Sequence, residues 1–336
     1  MENERILATR RGGPEVLQLV REKVPTPGPG EVLIRAKASG VAYADVVMRE
    51  GLYPGAPAFP LTPGYDVVGT VAAIGPGVEG LSEGAEVAAL IVHGSYARFV
   101  LAPARHVVPV PAGLDPAEAV SLVLNYLTAY QMLHRCAHVT RGDTVLVHGA
   151  AGGVGTALLQ LAAIAGIRCI GTASRGKHDI VARLGGIPVD YANEDFVARA
   201  KAEGGVLAAF DPIGGAHWKR SYEALAPTGT LVCYGFYDAL SGGRRDLVGA
   251  ARAFLGMPRF TPLKMFGDNK AIAPYIVTAW RDTRPALYRE DLGTLFRLLA
   301  EGRIAPVVAE RVPLAEAGRA QDMLGRAGFA GKIVLV

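Results

Sequence analysis

The sequence predicts an α/β protein in which a β-rich domain joins a second domain built on a doubly wound parallel sheet. Three observations predict it. The first third of the 336 residues reads as short β segments separated by Pro and Gly. The middle alternates strand-like and helix-like apolar runs. One of those alternations, "VLVHGAAGGVGTALLQLAAIAG" (145–166), carries a glycine cluster between its strand and its helix. The length allows about two domains, each with a core of its own.

The β-rich part comprises "EVLIRAKASGV" (31–41), "VVGTVAAIG" (67–75), "AEVAALIV" (85–92), "SYARFVLAP" (95–103) and "HVVPVPAG" (106–113). Strands this close together, with turn residues between them, suggest a small barrel or sandwich. At Asp115 the character changes. "DPAEAVSLVLNYLTAYQMLHRCAHV" opens with Asp, then Pro, then Glu three residues after the Asp, which is a helix start. Strand 144–148 then precedes helix 153–165, and strand 168–172 precedes helix 176–185. "VLAAFDPIGG" (206–215) precedes the helical "WKRSYEALA", and "GTLVCYGF" (229–236) follows as an apolar strand expected at the sheet edge. Such alternation indicates a parallel doubly wound sheet. Segment 237–283 mixes Gly, Arg and Pro with aromatics and is expected to be an insertion, partner-facing or lid-like. "YREDLGTLFRLLAEGRI" (288–304) reads as a helix and "GKIVLV" (331–336) as a closing strand.

Half the residues are hydrophobic and a fifth charged, which suits a soluble globular chain and excludes a disordered one. The net charge of +4 comes from 35 basic and 31 acidic residues spread along the chain. No basic stripe interleaved with aromatics exists, so nucleic acid is not an expected partner. The most membrane-like run, Val154 to Ala173, is broken by Gln160, Arg168 and glycines. A spanning helix needs about 20 mostly apolar residues, so no membrane span is expected. The start "MENERILATRRGG" lacks the apolar core of a signal peptide. Cys136, Cys169 and Cys233 are odd in number and far apart, which suits a reducing cytoplasm.

Within the opening stretch, Ala150-Ala151-Gly152-Gly153-Val154-Gly155 fits the dinucleotide fingerprint, with Ala in the first glycine position. Gly152 lets backbone approach a pyrophosphate, and Gly155 lets the helix pack on the strand. The helix N-terminus offers N–H groups and a positive dipole end to the phosphates. The next strand end reports on the nucleotide. An NAD-binding chain usually carries Asp or Glu about 20 residues after the glycines, to hold the ribose 2′-hydroxyl. Here the place reads "GTASRGKHD": Thr172, Ser174, Arg175 and Lys177, with no acid before Asp179. A carboxylate would repel a 2′-phosphate, whereas Arg and Lys pair with it. NADPH is the expected cofactor.

These residues, with the β-rich first third, resemble the zinc-independent quinone oxidoreductases of the medium-chain dehydrogenase/reductase superfamily. The resemblance covers nearly the whole chain. It includes "GVAYADVVMREGLYP" (40–54), "PGYDVVGTVAAIGPGV" (63–78), "LNYLTAYQML" (124–133), "HGAAGGVGTALLQLA" and "FDPIGG". "TASRGKHDIV", "PVDY", "YGFYDALSGGRRDLVGAARAF" and "NKAI" look closer to the vesicle-amine-transport branch of that family. The resemblance implies a GroES-like β-rich catalytic domain (1–122 and 284–336) split around a Rossmann domain (123–283). The active site would lie in the cleft between them.

It also implies cofactor contacts. Thr128 would sit near the nicotinamide ribose and phosphates, with Gly152, Gly153 and Val154 along the pyrophosphate. Ser174 and Lys177 would flank the 2′-phosphate, joined by Arg175 from the charge argument above, and Tyr191 would lie near the adenosine. Ile213, Gly214 and Phe236 would lie on the nicotinamide side. Quinone oxidoreductases commonly carry Asn where this chain has Ala42, so one polar contact near the reacting ring is missing.

No metal is expected. A zinc-dependent relative would hold Cys at the place of Ala42, and its Gly-His-Glu appears here as Gly64-Tyr65-Asp66. An alcohol substrate would lack the Lewis acid that stabilises its alkoxide. Conjugated acceptors need none, so the expected substrates are quinones and enone-like α,β-unsaturated carbonyls. Tyr43 and Tyr53 are the candidates for lining the cleft and donating a hydrogen bond or proton to the reduced acceptor; core or rim packing is the other reading of both. The resulting expectation is an NADPH-dependent, metal-free reductase, forming a homodimer or homotetramer. Two alternatives stay open. One is a non-catalytic NADPH-binding regulatory or membrane-associated protein, the other an enoyl reductase of a biosynthetic pathway.

Overall fold

The computed structural model describes residues 2–236, 240–241, 244–245, 256–326 and 328–336. Part of segment 237–283 lies outside them. The chain divides into two compact units. One comprises Met1–Leu127, Gly242–Arg245 and Val277–Val336, the other Thr128–Ser241 and Asp246–Ile276.

The first unit starts with an antiparallel pair that the pattern reading had not found, β1 (Glu2–Ala8) with β2 (Leu17–Lys23). Then come β3 (Glu31–Val41), β4 (Asp66–Ile74), β5 (Glu86–Leu90), β6 (Phe99–Pro103) and β7 (Val107–Pro109). The C-terminal part adds β14 (Val308–Val312) and β15 (Lys332–Leu335), giving a sheet ordered β14-β15-β3-β4-β5-β7. β3 gives one edge to β4. Its other edge is shared, with Glu31–Arg35 pairing β6 and Ser39–Val41 pairing β15. Branched residues suit this half-buried pleat. Val32, Ile34, Val67, Val71, Val87 and Val100 form its core, each burial contributing about 1.5–3 kcal/mol. Helix α1 (Tyr43–Arg49) follows β3 directly. As expected from the sequence, a helix begins after Asp115: α2 (Pro116–Ser121) is capped by Asp115 Oδ1, which accepts from the amides of Ala117 (3.1 Å) and Glu118 (3.0 Å).

The second unit contains α3 (Leu127–Gln131) from its second residue on, then β8 (Thr144–Val147), α4 (Gly153–Ala165) and β9 (Arg168–Ala173). Next are α5 (His178–Arg183), β10 (Gly186–Asp190), α6 (Phe196–Ala202), β11 (Val206–Asp211), α7 (His217–Ala224) and β12 (Leu225–Cys233). α8 (Pro262–Asp268) and β13 (Ala271–Pro274) come later in the chain. The strands of its six-stranded sheet are all parallel, in the order β10-β9-β8-β11-β12-β13. Numbered within this unit the order is 3-2-1-4-5-6, that of doubly wound dinucleotide-binding sheets. The order reverses between β8 and β11, and ligands bind outside the carboxyl ends of strands at such a point.

One expectation is corrected. "GTLVCYGF" is not an edge: β12 pairs with β11 on one side and β13 on the other, and β13 is the outer strand among the described residues. Four residues, "AIAP", are too short to signal a strand by periodicity, which is why the edge was misplaced. No helix among the described residues is long and apolar enough to cross a membrane.

Candidate active site

The carboxyl end of β8 runs into the glycine turn. The Gly152 amide donates to the Gly149 carbonyl (2.8 Å), and Gly152, in extended conformation, caps α4. A Cβ at Gly155 would collide with the Gly149 carbonyl and the Ala150 backbone. Glycine therefore sets how closely α4 approaches the turn. Gly153 and Val154 form the first turn of α4, where amides have no intrahelical acceptor.

At the end of β9, Ser174 leads into a single turn, Arg175–Lys177, closed by the Lys177 amide donating to the Ser174 carbonyl (2.9 Å). Arg175 is exposed and Lys177 half-buried, and burial lowers the Lys177 pKa. Asp190, at the end of β10, stands in register with Ala173. Its carboxylate is engaged locally, accepting from the Ala192 amide (3.1 Å) and Asn193 Nδ2 (2.9 Å). Tyr191 follows and is 61% exposed, so it is not core. Thr128, within α3, is buried.

The end of β11 holds a network that sequence reasoning missed. Asp211 Oδ1 accepts from the amides of Ile213 (2.7 Å) and Gly214 (3.4 Å), shaping the turn after the strand. Oδ2 accepts from Ser221 Oγ (2.5 Å) and His217 Nδ1 (2.7 Å). Ser221 Oγ lies 3.1 Å from His148 Nε2, and His148 Nδ1 lies 3.0 Å from Thr172 Oγ1. Burial pushes His148 down to about 3, so it is neutral. One assignment of protons fits. Ser221 gives its only proton to the carboxylate, so His148 Nε2–H donates to Ser221 and Nδ1 accepts from Thr172. Burial raises the Asp211 pKa, but the bonds from His217 and Ser221 and the nearby imidazoles pull it below the usual range.

The facing atoms of His148, Asp211 and His217 lie within 4.8 Å of one another, close enough for a metal. The hydrogen bonds already account for their placement, tying β9, β8, β11 and α7 together. The signal was in view, since His148 immediately precedes the glycine cluster and Asp211 opens "DPIGG". Beyond that turn, Gly214 has φ +90°, and a Cβ there would run into the Phe236 ring, so these two predicted residues meet.

In the first unit Tyr43 opens α1 and is half-buried, and Tyr53 follows the helix end. The Tyr53 hydroxyl meets Tyr65 Oη at 2.6 Å, with the rings edge-on. Asp45 Oδ2 accepts from the Ala42 amide (2.9 Å) and Tyr96 Oη (3.0 Å), and Oδ1 from the Gly64 amide (3.0 Å). Complete burial nevertheless raises its pKa to about 7.

The residues at the zinc places do not fit a zinc centre. Ala42 offers no donor, Tyr65 holds Tyr53, and Asp66 Oδ2 faces Lys332 Nζ at 3.0 Å. All three cysteines belong to the second unit. His93 is exposed, and His106 is buried 3.1 Å from Asp282 Oδ1.

Two family models match the chain: the alcohol dehydrogenase GroES-like domain over residues 28–112 and the zinc-binding dehydrogenase over 186–335. The synaptic vesicle membrane protein VAT-1 homolog of Rattus norvegicus is 34% identical over 316 residues, covering 93% of this chain and 78% of the relative. The Escherichia coli quinone oxidoreductase, solved with NADPH, superposes with a TM-score of 0.88 at 27% identity, covering 99% of both chains. This chain belongs to the quinone oxidoreductase family of the medium-chain dehydrogenase/reductase superfamily. A mycobacterial structure with NADPH is also similar, with a TM-score of 0.87, 32% identity and 99% of both chains covered. The GroES-like and Rossmann architecture expected of this quinone oxidoreductase-family chain is therefore present.

Proposed function

We propose that this chain is an NADPH-dependent reductase of quinones or enone-like α,β-unsaturated carbonyls that works without a metal. One observation carries the reading. The switch point of a 3-2-1-4-5-6 sheet holds a glycine turn, and the neighbouring strand end offers Ser174, Arg175 and Lys177 and no carboxylate. The NADPH complexes of the two similar structures support it.

In this reading the amides of Gly152, Gly153 and Val154 bind the pyrophosphate, aided by the helix dipole. Ser174, Arg175 and Lys177 hold the 2′-phosphate, with Tyr191 near the adenosine and Thr128 near the nicotinamide ribose. Ile213, Gly214 and Phe236 bound the nicotinamide side, and the network on Asp211 keeps their turn fixed. The bound nucleotide supplies the hydride. Tyr43 and Tyr53 face the acceptor, and Tyr53 gives its oxygen a hydrogen bond or proton.

The test is an acceptor screen that follows NADPH absorbance with ortho-quinones and simple enones. Steady turnover of either class is expected. Turnover with simple enones and none with quinones would favour the enoyl reductase. A second reading, a non-catalytic NADPH-binding protein, is favoured by the 34% identity to the VAT-1 homolog. NADPH binding without oxidation by any acceptor would establish that reading instead.

A further inference from the structure

Tyr65 lies at the place where a zinc-dependent relative would carry a histidine, and its side chain is 4% exposed. Its main chain is fixed, because its carbonyl accepts from the amides of Ile91 (2.9 Å) and Val92 (3.1 Å). The hydroxyl reaches Tyr53 Oη at 2.6 Å, with ring centroids 6.3 Å apart and planes at 72°. Among the described residues Tyr53 is the one acceptor within hydrogen-bonding distance of that hydroxyl. Burial holds the Tyr65 pKa far above its ordinary value, so it keeps its proton.

Each phenol has one proton, and only one fits between the two oxygens. If Tyr53 donated, the proton of the buried Tyr65 would have no acceptor among the described residues, and an unsatisfied buried donor is costly. Tyr65 therefore donates and Tyr53 accepts. The proton of the half-exposed Tyr53 is then directed away from the pair.

We propose that Tyr65 is a positioning residue for proton transfer, which orients the Tyr53 hydroxyl by donating to its oxygen. The proposal rests on the reductase reading above. When an enone gains a hydride from reduced nicotinamide at its β carbon, the π electrons move onto the carbonyl oxygen and the nicotinamide is oxidised. The Tyr53 O–H bond breaks, and its proton forms the O–H of the enol. The electron pair stays on Tyr53 as phenolate, held by the Tyr65 hydroxyl, until water returns a proton. A hydrogen bond to the charged oxygen stabilises the phenolate as it forms.

Tyr65→Phe keeps the ring and deletes the donor, and Tyr65→Leu is a second donor-free variant should the first not fold. Expected for Tyr65→Phe are a roughly tenfold fall in kcat with an enone and an unchanged KM for NADPH. In a Tyr53→Phe background it should have no further effect. The tyrosine Raman doublet gives a readout independent of turnover. Taken as the difference between each protein and its Tyr53→Phe counterpart, it should mark Tyr53 as a hydrogen-bond acceptor in the wild type and lose that mark when Tyr65 is replaced. An unmoved doublet overturns the proposal whether or not the chain is active. With activity present, an unchanged kcat overturns it too and leaves the reductase reading intact. A wild type that reduces no acceptor defeats the reductase reading, while the doublet still decides the pairing.

Discussion

Lys332 Nζ lies 3.0 Å from Asp66 Oδ2, and both side chains are sealed from solvent, at 3% and 0% exposure. The pair joins the last strand, β15, to the start of β4. Burial raises the Asp66 pKa, and Lys332 opposes that rise. Removing one partner leaves the other uncompensated. Lys332→Met should cost about 3–5 kcal/mol in denaturant unfolding near neutral pH, and less in acid, where Asp66 is protonated. Lys332→Met combined with Asp66→Leu should recover most of the loss. A double variant as unstable as the single would contradict this.

Cofactor preference should follow from the end of β9. Charge-assisted contacts contribute about 1.5–3 kcal/mol each before screening, so NADPH should exceed NADH in kcat/KM by at least roughly tenfold. Lys177→Ala and Arg175→Ala should raise KM for NADPH and leave that for NADH almost unchanged. The exposed Arg175 should give the smaller effect, because salt and water screen it more. Equal efficiency with both nucleotides at low salt would refute the assignment.

Purified protein should contain no stoichiometric zinc and should keep its activity in chelator, since Ala42 and Tyr65 stand where ligands would be needed. Elemental analysis checks this, and about one zinc per chain would defeat it.

His148 should resist protonation. Burial is the main cause of its depressed pKa of about 3, against about 6.5 in an unfolded chain. The unfolded state therefore takes a proton below about pH 6.5 that the folded state refuses. Stability from this residue is complete above that pH and is lost as pH falls toward 3. His106, at about 4 and also mainly through burial, acts in the same sense, while Asp45, raised to about 7, acts in the opposite one. His148→Gln should make the acid slope of stability more shallow by about 1.4 kcal/mol per pH unit near pH 5. NMR should show its ring protons untitrated between pH 5 and 8 in the folded wild type.

A homodimer or homotetramer remains the expected assembly, with a different surface from the one first inferred. Leu263 (80% exposed), Phe266 (85%) and Ile276 (61%) flank the short outer strand β13. Light scattering should give at least twice the mass of one chain at micromolar concentration, and Phe266→Asp should lower it.

Periodicity located long elements well, because strands and helices bury one face. Helix Gly153–Ala165 and strand Glu31–Val41 have the predicted bounds. Short or exposed strands such as Glu2–Ala8 and Ala271–Pro274 carry too little pattern to be read. The candidate site divides in the same way. The glycine turn was legible because its residue types are dictated by backbone geometry. Ser221 and Tyr65 were not, since nothing local marks a hydroxyl whose partners lie 73 and 12 residues away.

The shared edge of β3 has a consequence for the order of synthesis. Ser39–Val41 pairs with β15, whose residues are made after the whole of the second unit. By then residues 128–276 have all been made, so the second unit can fold while the first still presents an unsatisfied half-edge. Bare strand edges invite pairing with other chains. The nascent protein is thus most vulnerable to misassembly in the interval after the second unit is made and before residues 332–335 emerge.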